Sequence, residues 1–217
     1  MPDLFSADGT GKQAEQICPV DGDVLFYATS PWTDRAQELF DSLKEQLAWQ
    51  EGFVSLFGKT YKQPRLFAWY GDQDASYAYS GTRYEPRPWS PVLRQLRDEL
   101  TLFCGGEFNS VLANLYRNGS DGMGLHSDDE PELGPEPLIA SLSFGETRFF
   151  RLKHKYRAEL APIKIALEPG SLLLMSGSTQ CYWKHEVPKT KRHCEPRVNL
   201  TFRRVFSSLS REASQSA

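Results

Sequence analysis

The chain has 217 residues and a net charge of −3 at pH 7, with 40% hydrophobic and 24% charged residues. This length accommodates one domain with a full hydrophobic core, and the composition is that of an ordinary globular protein. No apolar run is long enough to span a bilayer, and the N-terminus lacks the basic start and apolar segment of a secretory signal. Four scattered cysteines indicate reduced thiols. We therefore expect a cytoplasmic protein, or a nuclear one if the source is eukaryotic.

The basic residues are unevenly distributed along this acidic chain. Between residues 184 and 204 there are seven lysines and arginines and only two acidic residues, Glu186 and Glu195. A local basic patch can contact phosphate even when the whole chain is acidic. A charge-rich loop in solvent would have the same composition, so the pattern alone does not choose between the two.

The first half of the chain predicts two helices and a region rich in aromatic residues. Residues 1–20 and 207–217 are small and polar, and we expect flexible tails there. Ser30-Pro31 and Ser90-Pro91 each predict a helix start, and Gly105 predicts the end of the second helix. Between the helices, the stretch from Leu56 to Glu85 predicts strands and exposed loops.

The second half predicts a β-sandwich or jelly roll, because short apolar or alternating runs are separated by turn signals. We expect a single domain over residues 21–206, with helices and loops in 21–108 and the jelly-roll core in 109–206. The predicted strands are Ser110–Tyr116, Leu138–Phe144, Thr147–Leu152, Ile163–Leu167, Ser171–Met175 and Val198–Val205.

A metal site is indicated by His126 and Asp128, two residues apart, with His185 as the distant third ligand. On a strand, residues two apart point to one face. Two imidazoles and one carboxylate make a facial triad, which leaves the other side of an Fe(II) ion open for a co-substrate and O2. A hydrolytic zinc site uses the same ligands. Of the remaining histidines, we expect His154 to be exposed and His193 to lie in solvent.

The segment from Arg197 to Arg203 predicts an inward-facing polar row. Period-two alternation puts Arg197, Asn199, Thr201 and Arg203 on one face of a strand. Buried arginines need an anionic partner, and a small dicarboxylic acid would provide one for each. Asn114 and Tyr116, again two apart, could add hydrogen bonds. An edge strand with its arginines in water is the alternative.

These motifs resemble the AlkB family of Fe(II)- and 2-oxoglutarate-dependent dioxygenases, and in particular its eukaryotic-type DNA-repair members. The resemblance runs from about Pro64 to Arg204 and is carried by Asn114-Leu-Tyr116, His126-Ser-Asp128-Asp-Glu130, Ser141-Leu-Ser-Phe-Gly145, His185 and Arg197-Val-Asn-Leu-Thr-Phe-Arg203. It implies a mainly β fold with flanking helices (α+β). Its core would be a double-stranded β-helix, with the N-terminal helices and loops forming a substrate lid.

The resemblance also implies ligands and roles. Fe(II) would be held by His126, Asp128 and His185. The co-substrate 2-oxoglutarate would be bound by Asn114, Tyr116, Arg197, Asn199 and Arg203. Candidate substrate residues are Glu130, near the exocyclic amine of a damaged base, Tyr79 with Tyr77, for stacking on that base, and Phe57, as an apolar finger.

The implied reaction is oxidative demethylation of 1-methyladenine and 3-methylcytosine in DNA, releasing formaldehyde, CO2 and succinate. We expect a monomer that acts on single strands, with duplex DNA and RNA as further candidate substrates and no membrane partner. The same chemistry on RNA, a protein or small-molecule hydroxylase, and a non-catalytic nucleic-acid binder with a structural metal are the alternatives.

Overall fold

Strands dominate the structure, a computed structural model that describes residues 13–56, 58–75, 77–79 and 82–206; the side chains of residues 55–56, 77–79 and 82–84 are outside that description. The strands are β1 (Glu15–Gln16), β2 (Asp23–Tyr27), β3 (Gln50–Leu56), β4 (Lys59–Gly71), β5 (Tyr77–Tyr79), β6 (Thr82–Tyr84), β7 (Ser110–Tyr116), β8 (Met123–His126), β9 (Ile139–Gly145), β10 (Arg148–His154), β11 (Ile163–Leu167), β12 (Leu172–Ser176), β13 (Trp183–Val187) and β14 (Arg197–Arg203). The helices are α1 (Ala36–Gln46), α2 (Pro91–Cys104) and α3 (Thr179–Tyr182), with a short 3-10 helix at Pro131–Leu133.

Two antiparallel sheets form the body of the domain. The major sheet has the strand order β1-β2-β12-β9-β14-β7-β4-β3, and the minor sheet has the order β11-β10-β13-β8. A separate hairpin pairs β5 with β6. The sheets belong to one sandwich because a single cluster of buried residues joins side chains of β2 and β12 to side chains of β10, β11 and β13. This architecture confirms the predicted jelly roll with flanking helices.

The opposite face of the major sheet is covered by α1 and α2. Their apolar residues pack with β4, β7, β9 and β14 in a second hydrophobic cluster. The centre of the major sheet is therefore buried on both faces, and every residue of β14 is buried. The minor sheet has one face in solvent, as the strict alternation of buried and exposed residues along β10 shows.

The helix predictions were correct for α2 and misplaced for α1. Ser90 caps α2 by accepting a hydrogen bond from the N–H of Leu93, and Gly105 ends the helix in the left-handed conformation at φ 68°. Helix α1 begins at Ala36, not at Pro31. The Ser30 hydroxyl instead donates to the Gly170 carbonyl at 2.5 Å, which fixes a turn ahead of the helix.

Two further expectations are corrected, and one alternative is excluded. Residues 15–16 are not part of a loose tail, because β1 pairs with β2. The strand Arg197–Arg203 is not an edge strand, since it lies between β7 and β9. His154 is not exposed: its side chain is 1% accessible and lies 3.3 Å from the Asp21 carboxylate. His193 is in solvent, as expected. Residues 1–12 and 207–217, where tails were predicted, are outside the described residues.

The chain crosses from the major to the minor sheet through a loop that contacts the segment after β13. Within it, Gly119 accepts a hydrogen bond from the N–H of Thr190 at 2.8 Å. A Cβ atom at Gly119 would lie 2.5 Å from the Thr190 carbonyl oxygen, and one at Gly122 would lie 2.7 Å from that of Val187. Two glycines therefore permit the close backbone approach of these loops. Among the described helices, none is long and apolar enough to cross a membrane.

Candidate active site

The three predicted metal ligands come together at one end of the space between the sheets. His126 is the last residue of β8, and Asp128 follows two residues later. His185 is on β13, directly opposite His126 in the antiparallel pairing. One ligand atom from each of the three side chains lies within 4.8 Å of the other two. Three convergent N and O donors of this kind suit a divalent transition metal.

Neighbouring groups hold these side chains in orientations suitable for metal binding. His126 Nδ1 donates to the Gly124 carbonyl at 2.8 Å. Its Nε2 then faces Asp128 Oδ1 at 3.6 Å. The other carboxylate oxygen of Asp128 accepts a hydrogen bond from Arg203 at 2.8 Å. The Asp128 N–H donates to Gln180 Oε1 at 2.9 Å. Such outer contacts fix the orientation of ligands around a metal.

The local electrostatics keep two of the three candidate metal ligands in the protonation states that bind a cation. Burial would raise the pKa of Asp128, but the positive charge of Arg203 and the hydrogen bond with His126 outweigh it and hold this pKa well below its usual range. Burial, together with the nearby His126, lowers the pKa of His185 to about 3, so His185 is neutral at pH 7. Burial also acts to lower the pKa of His126, but Asp128 raises it above its ordinary value overall.

A polar row leads away from the triad along β14. Arg197, Asn199, Thr201 and Arg203 line the same cavity as His126, Asp128 and His185. Val198, Leu200 and Phe202 pack in the apolar cluster on the opposite face of the sheet. The predicted alternation is therefore confirmed, with one arginine beside the triad and the other at the far end of the row.

Arg197 is a buried cation whose hydrogen-bonding capacity is only partly used. It is 1% exposed. Its Nη2 donates to the Ser143 hydroxyl at 2.9 Å, whereas Nε and Nη1 have no hydrogen-bond partner among the described residues. Burial lowers the pKa of Arg197 to about 10. A buried guanidinium with unused donors is expected to bind an anion.

The same wall of the cavity continues onto β7, the neighbour of β14 in the major sheet. Asn114 pairs in register with Asn199, and Tyr116 pairs with Arg197. The guanidinium of Arg197 lies 5.2 Å from the centre of the Tyr116 ring. Asn114 Oδ1 accepts a hydrogen bond from Arg65 at 2.7 Å, which leaves the amide NH2 of Asn114 available to the cavity.

Sequence reasoning missed three buried residues that support this site. Arg65 orients Asn114, and Gln180 accepts from the backbone of Asp128. Arg148 lies under Tyr116 and donates to the carbonyls of Asn118, Asp121 and Pro188. The alternation of β10, which places Arg148 on the buried face, was a signal for the third. No comparable signal identified Arg65 or Gln180.

The predicted substrate residues are described only in part. Glu130 is partly buried and immediately precedes the 3-10 helix, two residues after Asp128. Tyr77 and Tyr79 are on β5 of the separate hairpin, but their side chains are not among those described. Phe57 lies outside the described residues, between β3 and β4. Their roles remain predictions.

Comparisons with known proteins agree with this geometry. Residues 26–203 match the model of the 2OG-Fe(II) oxygenase superfamily. A solved structure titled "The structure of OsALKBH1" superposes with a TM-score of 0.54 at 17% identity, covering 87% of this chain and 99% of that one. At that identity, the likeness supports the fold alone.

Three relatives are closer in sequence. Human alpha-ketoglutarate-dependent dioxygenase alkB homolog 3 is 46% identical over 179 residues, which is 79% of this chain and 62% of that protein. Human DNA oxidative demethylase ALKBH2 is 41% identical over 180 residues, covering 79% and 69%. Mouse DNA oxidative demethylase ALKBH2 is 39% identical over 213 residues, covering 94% and 87%. The match to alkB homolog 3 thus spans under two thirds of that relative.

The fold and the site define a 2-oxoglutarate- and Fe(II)-dependent oxygenase domain. Within that superfamily, the chain belongs to the AlkB family. Members of the superfamily work with Fe(II), 2-oxoglutarate and O2, and the buried triad and the two arginines fit the first two of these.

Proposed function

We propose that this protein oxidatively demethylates N-alkylated bases in DNA, with 1-methyladenine and 3-methylcytosine as substrates and formaldehyde, CO2 and succinate as products. The observation that carries the proposal is the single cavity that holds both the triad and the arginine row. Relatives named as DNA oxidative demethylases support the choice of substrate.

In this proposal, His126, Asp128 and His185 bind Fe(II). The residues fit the metal because His185 is neutral and Asp128 is ionised. The proton of His126 is on Nδ1, so the lone pair of Nε2 is available to the metal. Bound Fe(II) supplies the redox chemistry that lets O2 oxidise both the co-substrate and the alkyl carbon. Hydroxylation of that carbon gives a hemiaminal, which breaks down to the aldehyde and the restored base.

The arginine row binds 2-oxoglutarate in the same proposal. Arg197 takes the carboxylate that is farther from the metal, and Arg203, beside Asp128, takes the nearer one. Asn114, Tyr116 and Asn199 complete the polar wall. Because this space is buried among β7, β9 and β14, it excludes water from the co-substrate and keeps each charge-assisted hydrogen bond strong.

We assign recognition of the damaged base to the four candidate substrate residues named from the sequence. Glu130 accepts from the exocyclic amine, Tyr79 with Tyr77 stacks on the base, and Phe57 fills the gap that the base leaves. A base paired inside a duplex cannot reach the cavity, so the target nucleotide is taken from a single strand or is extruded. We further propose one domain over residues 21–206, whose part 21–108 forms the lid, acting as a monomer in the cytoplasm or nucleus.

Mass spectrometry of methylated oligonucleotides tests the proposal directly. The protein is incubated with Fe(II), 2-oxoglutarate and a 15-residue strand containing one 1-methyladenine or one 3-methylcytosine. We expect a loss of 14 Da from the strand and one succinate per base restored. Succinate production without a change in mass would contradict the proposed substrate.

Two further arms separate the alternatives. An RNA strand of the same sequence that is turned over faster than DNA would identify an RNA demethylase. Glu130→Ala should reduce the turnover of methylated strands. If the protein is instead a protein or small-molecule hydroxylase, the same variant should keep its full activity on that substrate. A non-catalytic binder predicts no succinate in any arm. Zn(II) should occupy the site and give no reaction, because it has no redox chemistry.

A further inference from the structure

Two exposed tyrosines stand side by side at the end of the minor sheet. Tyr156 follows β10 and is 73% exposed, and Tyr182, at the end of α3, is 39% exposed. Their ring centroids are 6.1 Å apart, with the rings at 82° to each other. Single exposed aromatic residues are common, but an ordered pair forms a surface on which a flat ligand can stack.

This pair is held rigidly by the buried His154. Its Nδ1 accepts hydrogen bonds from the N–H groups of Tyr156 and Arg157 at 3.2 and 3.0 Å. The ring of His154 stacks on the ring of Tyr182, with the ring centroids 6.0 Å apart and an angle of 27° between the ring planes. The Asp21 carboxylate lies 3.3 Å from its other nitrogen. Both tyrosines are therefore in place before any ligand arrives, which reduces the entropy lost on binding.

Two lysines without an acidic partner among the described residues lie on the strands that lead to the tyrosines. Lys153 on β10 and Lys184 on β13 are direct cross-strand partners on the solvent face of the minor sheet. Like charges in this arrangement destabilise a sheet. Neither lysine has an acidic partner within ion-pairing distance among the described residues, whereas nearby Arg151 is paired with Glu186. An anion bound across both lysines would remove their repulsion.

Hydrogen bonds link the segment that carries the tyrosines to the metal site. The N–H of Lys155 donates to the Tyr182 carbonyl at 2.7 Å, and its Nζ donates to the Gln180 carbonyl at 2.8 Å. The side chain of Gln180 in turn accepts from the Asp128 backbone. The backbone that positions Tyr182 is thus two hydrogen bonds away from the backbone of the metal ligand Asp128.

We infer that Tyr156 and Tyr182, with Lys153 and Lys184, form a stacking platform for unpaired nucleotides that flank the target base. Aromatic faces accept any base, and lysines accept any backbone phosphate, so the platform binds single strands of DNA or RNA without reading their sequence. The inference rests on the proposed nucleic-acid substrate and adds a reason for a preference for single strands. Paired bases cannot stack on the platform.

The test measures binding of an unmodified strand, so it does not depend on turnover. Fluorescence anisotropy with oligothymidylate and oligouridylate of 15 residues gives Kd for the wild type and for the Tyr156→Ala/Tyr182→Ala double variant. We expect Kd to rise by at least tenfold, since each stacked base contributes roughly 1–3 kcal/mol. Loss with either strand supports the platform and identifies the nucleic acid that it takes. Unchanged Kd for both strands overturns it.

Conservative and matched variants exclude a folding defect. Tyr156→Phe/Tyr182→Phe keeps both rings and should bind like the wild type; weak binding by it would overturn stacking. Lys153→Ala/Lys184→Ala should flatten the salt dependence of log K by about 0.7 per phosphate contact. Lys44→Ala, an exposed lysine of α1 on the opposite side of the sandwich, should not. Equal salt slopes for these two lysine variants would contradict the platform.

The failure of this inference differs from a failure of the proposed function. If the protein demethylates strands but the tyrosine variants bind as well as the wild type, only the platform is wrong. If no methylated strand is turned over while unmodified strands still bind through the tyrosines, only the demethylase proposal is wrong. Binding to anionic lipid vesicles provides a further control. If the tyrosine double variant loses vesicle binding as strongly as it loses oligonucleotide binding, the surface is not specific for nucleic acid and the platform is rejected.

Discussion

The two sheets differ in how many of their faces are buried. In the major sheet, all seven residues of β14 are buried, including two arginines, because helices cover one face and the minor sheet covers the other. In the minor sheet, β10 alternates strictly between buried and exposed residues. Its edge strand β8, which carries His126, is only partly buried. The co-substrate half of the site is therefore built into the core, whereas one of the three metal ligands, His126, lies at a sheet edge.

This difference separates the effects of substitution on folding and on activity. Residues of β14 contribute to both, since each is packed inside the domain. A side chain at the edge of the minor sheet can be removed with less disturbance to packing. Four predictions test how far the contrast holds, beginning with the largest effect.

Removing the metal ligand at the edge should abolish activity without unfolding the protein. His126→Ala should reduce succinate formation to background, while the melting temperature of the metal-free protein changes little, because the side chain of His126 is 23% exposed. Asp128→Ala should also abolish activity but should destabilise the protein by about 3 kcal/mol, since it breaks a buried ion pair with Arg203. Equal stability of the two variants would contradict the expected difference between the edge ligand and the buried ligand.

The buried end of the arginine row should control co-substrate affinity. Arg197→Met should weaken 2-oxoglutarate binding about a hundredfold, because a carboxylate loses its charge-assisted hydrogen bonds. The variant should be as stable as the wild type or more so without co-substrate, since methionine removes an incompletely paired buried charge. Calorimetric titration and thermal melts, with and without 2-oxoglutarate, measure both effects. Arg204→Met, at an exposed position directly after β14, is the matched control.

The loop that joins the two sheets should make stability depend on acid pH. Burial acts to raise the pKa of Asp121, but its hydrogen bonds with Arg117 outweigh this and lower that pKa below its ordinary value of 3.8. The pair therefore stabilises the fold above pH 3.8, and this contribution is lost as the pH falls through the lowered pKa. Asp121→Asn should lower the free energy of unfolding by about 1–3 kcal/mol at pH 7. The difference from the wild type should shrink towards pH 2 in urea titrations.

The smallest effect concerns thiol reactivity. Burial raises the pKa of Cys18 to about 12, so its thiol should react slowly with iodoacetamide at pH 8. Cys181, exposed beside the minor sheet, should be alkylated first. Peptide mapping after timed labelling gives the order. Faster labelling of Cys18 than of Cys181 would show that the region around β2 opens more readily than its burial implies.

Most of the fold and much of the site could be predicted because the signals are local. Period-two alternation identified β14 and placed Arg197 and Arg203 on its polar face, and the predicted bounds of β7 and β11 are those observed. Spacing alone paired His126 with Asp128.

The predictions that failed depended on contacts between distant segments. His154 lies between two lysines in the sequence, yet it is buried because Asp21 and the backbone that follows β10 surround it. Ser30-Pro31 has the form of a helix start, but the Ser30 hydroxyl bonds to Gly170, 140 residues away. Arg65 and Gln180 acquire their roles only when β4 and α3 come to lie beside the site. Such long-range pairings leave no periodic trace in the sequence.

The glycine-lined crossover loop has a consequence for how substrate preference can diverge within this fold. Main-chain atoms at Gly119 and Gly122 set the path of the segment after β13. The exposed side chains of Lys191 and Arg192 take no part in that constraint. Substitutions can therefore change the charge of this segment one residue at a time without altering the path of its backbone. Under the proposed function, a change of nucleic-acid substrate would require only surface replacements there and would leave the metal ligands and the arginine row unchanged.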